Sequence, residues 1–201
     1  MELLTILDAI GVIAFAISGA YTAMQVKMDL LGIYLLATVT AVGGGILRDT
    51  IMDRGIPAFF YNYPTIILVL LSTSFVLFIR KKFRWHFLIT LADTLGLAVF
   101  TVTSGITALQ HEYSFPAFLF VCVATGVGGG VIRDMLCRRI PVIFTQDIYA
   151  MASAAGAVCL WFLYQWLLPV AAIYISLAVV ILVRLLSIYF HWSLPKFELY
   201  S

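Results

Sequence analysis

An all-α integral membrane fold is predicted, with seven transmembrane helices forming two inverted three-helix repeats plus a seventh helix. Three observations predict it. Of 201 residues, 63% are hydrophobic and only 11% charged, with a mean hydropathy of +1.07, against roughly 25% charged in a soluble domain. Apolar runs near 20 residues, the length that crosses a bilayer, follow one another with short separators. Finally, two segments of the chain repeat each other.

The spans are placed at about 3–25, 30–53, 63–80, 86–110, 115–137, 146–168 and 170–191. The first begins almost at Met1 without a basic leader, so it reads as a span and not a cleaved signal peptide. Lys27-Met28-Asp29 separates it from the second. Arg54-Gly55-Ile56-Pro57 and Arg80-Lys81-Lys82-Phe83-Arg84 bound the third. His111-Glu112, Arg138-Arg139-Ile140-Pro141 and Pro169 punctuate the rest. The second and fifth are the weakest spans, because each carries a charged pair. The whole chain, 1–201, reads as one membrane domain: repeat one at about 3–80, repeat two at about 86–168, and the seventh helix at about 170–191.

Seven spans put the termini on opposite sides, and loop charge orients them. With the N-terminus outside, Lys27, Arg80, Lys81, Lys82, Arg84, Arg138, Arg139 and Lys196 are cytoplasmic and only Arg54 is external. The expected location is the cell (inner) membrane, C-terminus in the cytoplasm. The basic 80–84 run also suits anionic headgroups, so membrane lipid is an expected partner. A net charge of +2 gives no reason to expect nucleic acid.

The repeat has three blocks. Asp8-Ala9-Ile10-Gly11, Phe15 and Ser18-Gly19 are matched by Asp93-Thr94-Leu95-Gly96, Phe100 and Ser104-Gly105. Thr40 to Asp49 returns as Thr125 to Asp134, each with Gly-Gly-Gly-x-x-Arg-Asp. Arg54-Gly55-Ile56-Pro57 returns as Arg138-Arg139-Ile140-Pro141. Counted from the first residue of each block, the offsets are 85, 85 and 84 residues. Each copy holds an odd number of spans, so the second enters from the opposite face, as in many transporters.

Gly43, Gly44, Gly45 and Gly128, Gly129, Gly130 are costly in a helix, at about 1 kcal/mol each relative to alanine. They either bend or unwind the backbone beside an aqueous path or let helices approach closely. Each triplet lies roughly 20 Å from its helix start, past the midplane. Arg48-Asp49 then falls towards the outer face and Arg133-Asp134 towards the inner. Charges within a span are functional candidates; here they line a pore or its gate, or fix helix register as ion pairs. Adjacent helical residues diverge by about 100°, so each arginine has Asp8, Asp93 or the opposite repeat as an alternative partner.

Asp8 and Asp93 sit in the first turns of their helices, where a carboxylate caps the dipole or draws ions into a vestibule. Thr90, Asp93, Thr94, Thr101 and Ser104, with Ser18 and Thr22, form a face that lines a polar path or bonds its own carbonyls. Arg184 is expected to snorkel to the cytoplasmic boundary. Trp85, Trp161, Trp166 and Trp192 read as interfacial anchors, and His86, His111 and His191 as interfacial residues without ligand spacing. Cys122, Cys137 and Cys159 read as buried thiols. No catalytic, metal or cofactor motif is present, and an enzyme is not expected.

The duplicated unit with its paired Gly-Gly-Gly-x-x-Arg-Asp motif resembles the prokaryotic trimeric intracellular cation channels, a family also labelled a glycine-transporter-type (UPF0126-like) membrane domain. The resemblance spans essentially the whole chain. It implies a homotrimer with one hourglass pore per subunit, kinked at Gly43–Gly45 and Gly128–Gly130. It also implies passive conduction of monovalent cations, chiefly potassium, with Arg48, Asp49, Arg133 and Asp134 beside the pore. Potassium or sodium would be transient occupants and no cofactor is implied. A secondary transporter of a small amino acid such as glycine is the competing reading.

Overall fold

The computed structural model describes residues 2–79, 86–145 and 148–192. Within them are seven helices of at least 17 residues, labelled α1 (Glu2–Gln25), α2 (Leu30–Ile51), α3 (Tyr63–Ile79), α4 (His86–Gln110), α5 (Phe115–Leu136), α6 (Tyr149–Trp166) and α7 (Pro169–Tyr189). No strand occurs among the described residues. Short helical turns at Ala58–Phe60 and Val142–Thr145 follow α2 and α5. The basic 80–84 run, Trp85, the His86 side chain and Lys196 lie outside the described residues.

The helix ends follow from local chemistry. Asp29 caps α2 by accepting from the Gly32 amide at 2.7 Å. Prolines at the first turns of α5 and α7 occupy positions where no amide bond is lost. Lys27, Asp53, Glu112, Arg138 and His191 adopt left-handed φ of 51–58°, each closing a helix with a turn normally left to glycine. Lys27 and Glu112, and Asp53 and Arg138, are 85 residues apart. The duplication therefore extends to backbone conformation.

Five helices are long and apolar enough to cross a membrane: α1, α2, α4 from Phe87, α5 and α7. The charged pairs of α2 and α5 do not interrupt them. The other two are the 18-residue α6 and the shorter α3, with 17 described residues; 17 residues rise about 26 Å against a hydrocarbon core of about 30 Å.

The centre is formed by α1, α2, α4 and α5. α3 flanks α1 and α2, while α6 flanks α4 and α5. Among the described residues, the helix outside the duplication, α7, packs on α4 and α6. One large core accordingly fills the second half, running from Leu97 and Phe118 through Tyr149 and Leu160 to Val180. The first half has two smaller cores, around Phe15 and around Leu36. The exterior is studded with exposed Leu31, Phe78, Phe120, Phe162 and Trp166, a surface suited to hydrocarbon.

Both glycine triplets lie in unbroken α-helix. The unwinding weighed from sequence is thus absent, and close approach accounts for the inner glycines. A Cβ on Gly44 would overlap the Thr125 carbonyl oxygen, and one on Gly129 the Thr40 carbonyl oxygen. The contact is reciprocal and ties α2 to α5 backbone to backbone. Gly45 has nothing within 4 Å of its Cβ position. Gly44→Ala and Gly129→Ala should each therefore lower stability by about 1–3 kcal/mol. Gly45→Ala should be neutral or stabilising by up to about 1 kcal/mol. Unfolding midpoints in detergent check the contrast.

Candidate functional site

The intramembrane charges gather into two clusters at opposite ends of α1. Near its start, Arg48 Nη1 lies 4.0 Å from Asp8 Oδ2 and Arg48 Nε donates to Asp49 Oδ1 at 2.9 Å. Near its end, Arg133 Nη1 donates to Asp93 Oδ1 at 2.5 Å and to Ser18 Oγ at 2.6 Å, and Arg133 Nε to Asp134 Oδ1 at 2.9 Å. Arg139 donates to Gln25 on the last residue of α1 at 3.0 Å. Asp8 and Ser18 are about 15 Å apart along the helix axis.

The two sites share one plan. An aspartate comes from the first helix of a half, an Arg-Asp pair from its second helix, and a hydroxyl from the first helix of the other half. In the second cluster the hydroxyl is Ser18, which also reaches Asp93 at 3.4 Å. In the first it is Thr103, which faces Asp8. Ser104, expected to share this role, instead donates to its own helix at the Phe100 and Thr101 carbonyls, at 2.6 and 3.0 Å. Thr94 also bonds its own helix, at the Thr90 carbonyl, whereas Thr101 bonds Ser153 of α6, both at 2.7 Å.

Arginine and aspartate of each motif do pair with their immediate neighbour, and each arginine also addresses the distant aspartate. Asp49 and Asp134 have a further task. The Asp49 Oδ2 accepts from the Ala58 amide and Asp134 Oδ2 from the Val142 amide, each at 3.0 Å. Each carboxylate thereby binds the start of the helical turn after its Ile-Pro segment and folds that loop back onto its helix end. This structural role was invisible to spacing, although the recurrence of Ile-Pro was its signal.

The clusters differ in access. The Asp8 side chain is 40% exposed and Asp93 11%. Asp49 receives a second arginine, Arg54, from the loop at 3.2 Å. In the second cluster the additional cation is Arg184 of α7. It does not snorkel: it is buried, with its guanidinium carbon 4.8 Å from the centre of the buried Tyr149 ring. Trp161 is half-buried against Phe115 and Phe118, with ring centres 5.3 and 5.0 Å away, whereas Trp166 and Trp192 are exposed. Cys122 is buried, but Cys137 and Cys159 are only half-buried.

Each cluster faces a cavity. One of about 80 Å³ is lined by Asp8, Gly45, Arg48, Asp49, Asn62 and Phe100. One of about 560 Å³ is lined by residues including Thr22, Asp93, Arg133, Asp134, Arg184 and His191. Between the clusters, buried Phe15 and Phe100 stack with centroids 5.4 Å apart and planes at 13°. Gly96 is the socket for Phe15, and Gly11 for Phe100. No His/Cys/Asp/Glu group with metal-binding geometry occurs among the described residues.

A family model described as Glycine transporter matches twice, over residues 5–82 and 90–165. The UPF0126 inner membrane protein YadS of Escherichia coli strain K12 is 38% identical over 202 aligned residues, covering 96% of this chain and 95% of that protein. The UPF0126 membrane protein YvgT of Bacillus subtilis strain 168 is 34% identical, with 95% of each covered. Among solved structures, a TRIC cation channel studied for its conductance superposes with a TM-score of 0.89 at 30% identity, over 98% of both chains. The TRIC trimeric intracellular cation channel orthologue from Rhodobacter sphaeroides does so with a TM-score of 0.90 at 28% identity, over 96% of this chain and 100% of that one.

Proposed function

Because this chain belongs to the family of UPF0126 glycine-transporter-type membrane proteins and TRIC channels, we propose that it is a cation channel. The observation that carries this reading is the likeness, over nearly the full length, to solved TRIC cation channels. The multi-pass helices are taken as seven spans in two inverted repeats, a reading supported by the placement of the two clusters at opposite ends of α1. The N-terminus is outside and the C-terminus cytoplasmic, which makes the Asp8 cluster external and the Asp93 cluster internal. Three copies assemble in the inner membrane, each with its own pore, and potassium is the principal permeant ion. No cofactor takes part.

Paired charges make the arginines compatible with cation passage. Each guanidinium beside the path is held by two carboxylates, so the local field on a passing cation is small. Arg48, Asp49, Arg133 and Asp134 border the vestibules, and Asp8 and Asp93 meet the ion. The triplets Gly43–Gly45 and Gly128–Gly130 act as bending points of continuous helices, with α2 and α5 hinging about their shared glycine contact. The stacked Phe15 and Phe100 close the route between the vestibules, as apolar constrictions do by excluding water.

Purified protein in a planar bilayer with symmetric potassium chloride should give unitary currents with no amino acid present. The glycine-transporter description of the family model favours a second reading, coupled uptake of a small amino acid. Saturable glycine uptake into proteoliposomes without unitary events would establish that reading and sink the channel.

A further inference from the structure

We infer that Arg184 makes the permeation path electrically one-sided, admitting cations more readily at the Asp8 vestibule than at the Asp93 vestibule; this rests on the channel reading. Duplication alone would give two equivalent mouths. α7 lies outside the duplication and, among the described residues, packs on helices of the second half, so what it contributes has no counterpart in the first.

Its contribution is a buried cation on a buried aromatic. Arg184 is 5% exposed, and Tyr149 beneath it is 1% exposed. The far end of that ring reaches the third glycine of the second triplet: a Cβ on Gly130 would lie 3.1 Å from the Tyr149 hydroxyl and 3.7 Å from Arg133 Nη2. At the repeat-related Gly45 the same volume is open. Beside the third glycine, one cluster thus has an aromatic ring carrying a guanidinium and the other has none among the described residues.

The formal charges match but their exposure does not. The first cluster sets Asp8 and Asp49 against Arg48 and Arg54, and the second sets Asp93 and Asp134 against Arg133 and Arg184. Asp8 and Arg54 are each 40% exposed, so Asp8 meets an arriving ion while solvent and salt damp the Arg54 charge. In the second cluster Asp93 is already engaged by Arg133 and Ser18, and the buried Arg184 charge is poorly screened. Arg139 lines the same cavity and adds a further positive charge. Cations are concentrated at the first mouth and not at the second.

The test is the current–voltage relation of single channels in symmetric potassium chloride, with orientation fixed by a one-sided blocker or tag. At low salt the wild type should rectify, passing more current for ions entering by the Asp8 mouth. Arg184→Gln should raise entry from the Asp93 side by about threefold, the Boltzmann factor for one unit charge at about 7 Å in water. Arg184→Lys keeps the charge but loses the planar stack, and should keep the wild-type ratio. At about 1 M salt, where screening extends only about 3 Å, the variants should converge. His191→Asp adds negative charge to the same cavity from an exposed position and should shift the ratio in the Arg184→Gln direction, even if that variant does not fold.

An unchanged ratio in Arg184→Gln or, failing its expression, in His191→Asp overturns the inference. So does an equal change in the Gln and Lys variants, which would make the contact one of packing alone. A wild type that conducts symmetrically overturns it too, whereas a wild type without unitary currents refutes the channel reading itself.

Discussion

Arg133→Met should destabilise the protein far more than Arg48→Met, although the two arginines occupy the same place in the repeat. Arg133 pairs with both Asp93 and Asp134, and both carboxylates are buried. Removing it leaves two buried carboxylates with neutral donors, the Ser18 hydroxyl for Asp93 and the Val142 amide for Asp134. Breaking a buried pair this way costs about 3–5 kcal/mol. Arg48 is differently supported. Asp49 would retain Arg54 and the Ala58 amide, and Asp8 is open enough to be hydrated, so a loss nearer about 1 kcal/mol is expected. Reversible unfolding in mixed detergent micelles measures both. Arg133→Met combined with Asp93→Asn should recover part of the loss, since one of the stranded charges is then gone. Equal costs for the two single variants would mean that access to Asp8 and the Arg54 contact do not distinguish the clusters as described.

The contrast shows where sequence reading succeeds and where it stops. The all-helical membrane fold and the long apolar helices were legible because hydropathy is a local property of the chain. The motif charges were legible as well, since an arginine in an apolar run is conspicuous. Their partners were not. Matching Ser-Gly to Ser-Gly put Ser104 opposite Ser18, a slip of one residue from the 85-residue register. Thr103, which that register selects, is the residue that faces Asp8. A one-residue slip turns a side chain about 100° around the helix, enough to move a hydroxyl from a cluster to its own backbone.

The glycine triplets were ambiguous for another reason. A missing side chain permits both a broken helix and a close neighbour, and the neighbours that decide, the Thr125 and Thr40 carbonyls, are more than 80 residues away in sequence. Arg184 was misplaced because snorkelling assumes that a basic residue near a helix end turns outward. Here Tyr149 and the charged cavity lie on the inward side. The cavities beside the two clusters differ at the same point, the larger one lined by Arg184 of α7.

Replacing both Phe15 and Phe100 by alanine should convert a gated path into a leak. The two rings belong to repeat-related positions, stack on each other, and separate two charged cavities. An ion crossing there would shed water without gaining a polar group, since the sockets are Gly96, Gly11 and Val99. Such a barrier is apolar in origin and falls when the constriction widens enough to admit water. Each 1.4 kcal/mol removed raises the flux about tenfold. Potassium flux into proteoliposomes without any stimulus should therefore rise by about tenfold or more in the double variant. Two buried aromatics are also lost, and a Phe→Ala change in a packed core costs about 3–5 kcal/mol, so the leak must be read on protein that remains monodisperse. Phe15→Leu and Phe100→Leu provide the control. They preserve apolar bulk and should stay closed, whereas Phe15→Asn, which is close to leucine in size but supplies a polar group, should leak. If the leucine and asparagine variants conduct alike, the stacked pair contributes packing and the closure lies elsewhere.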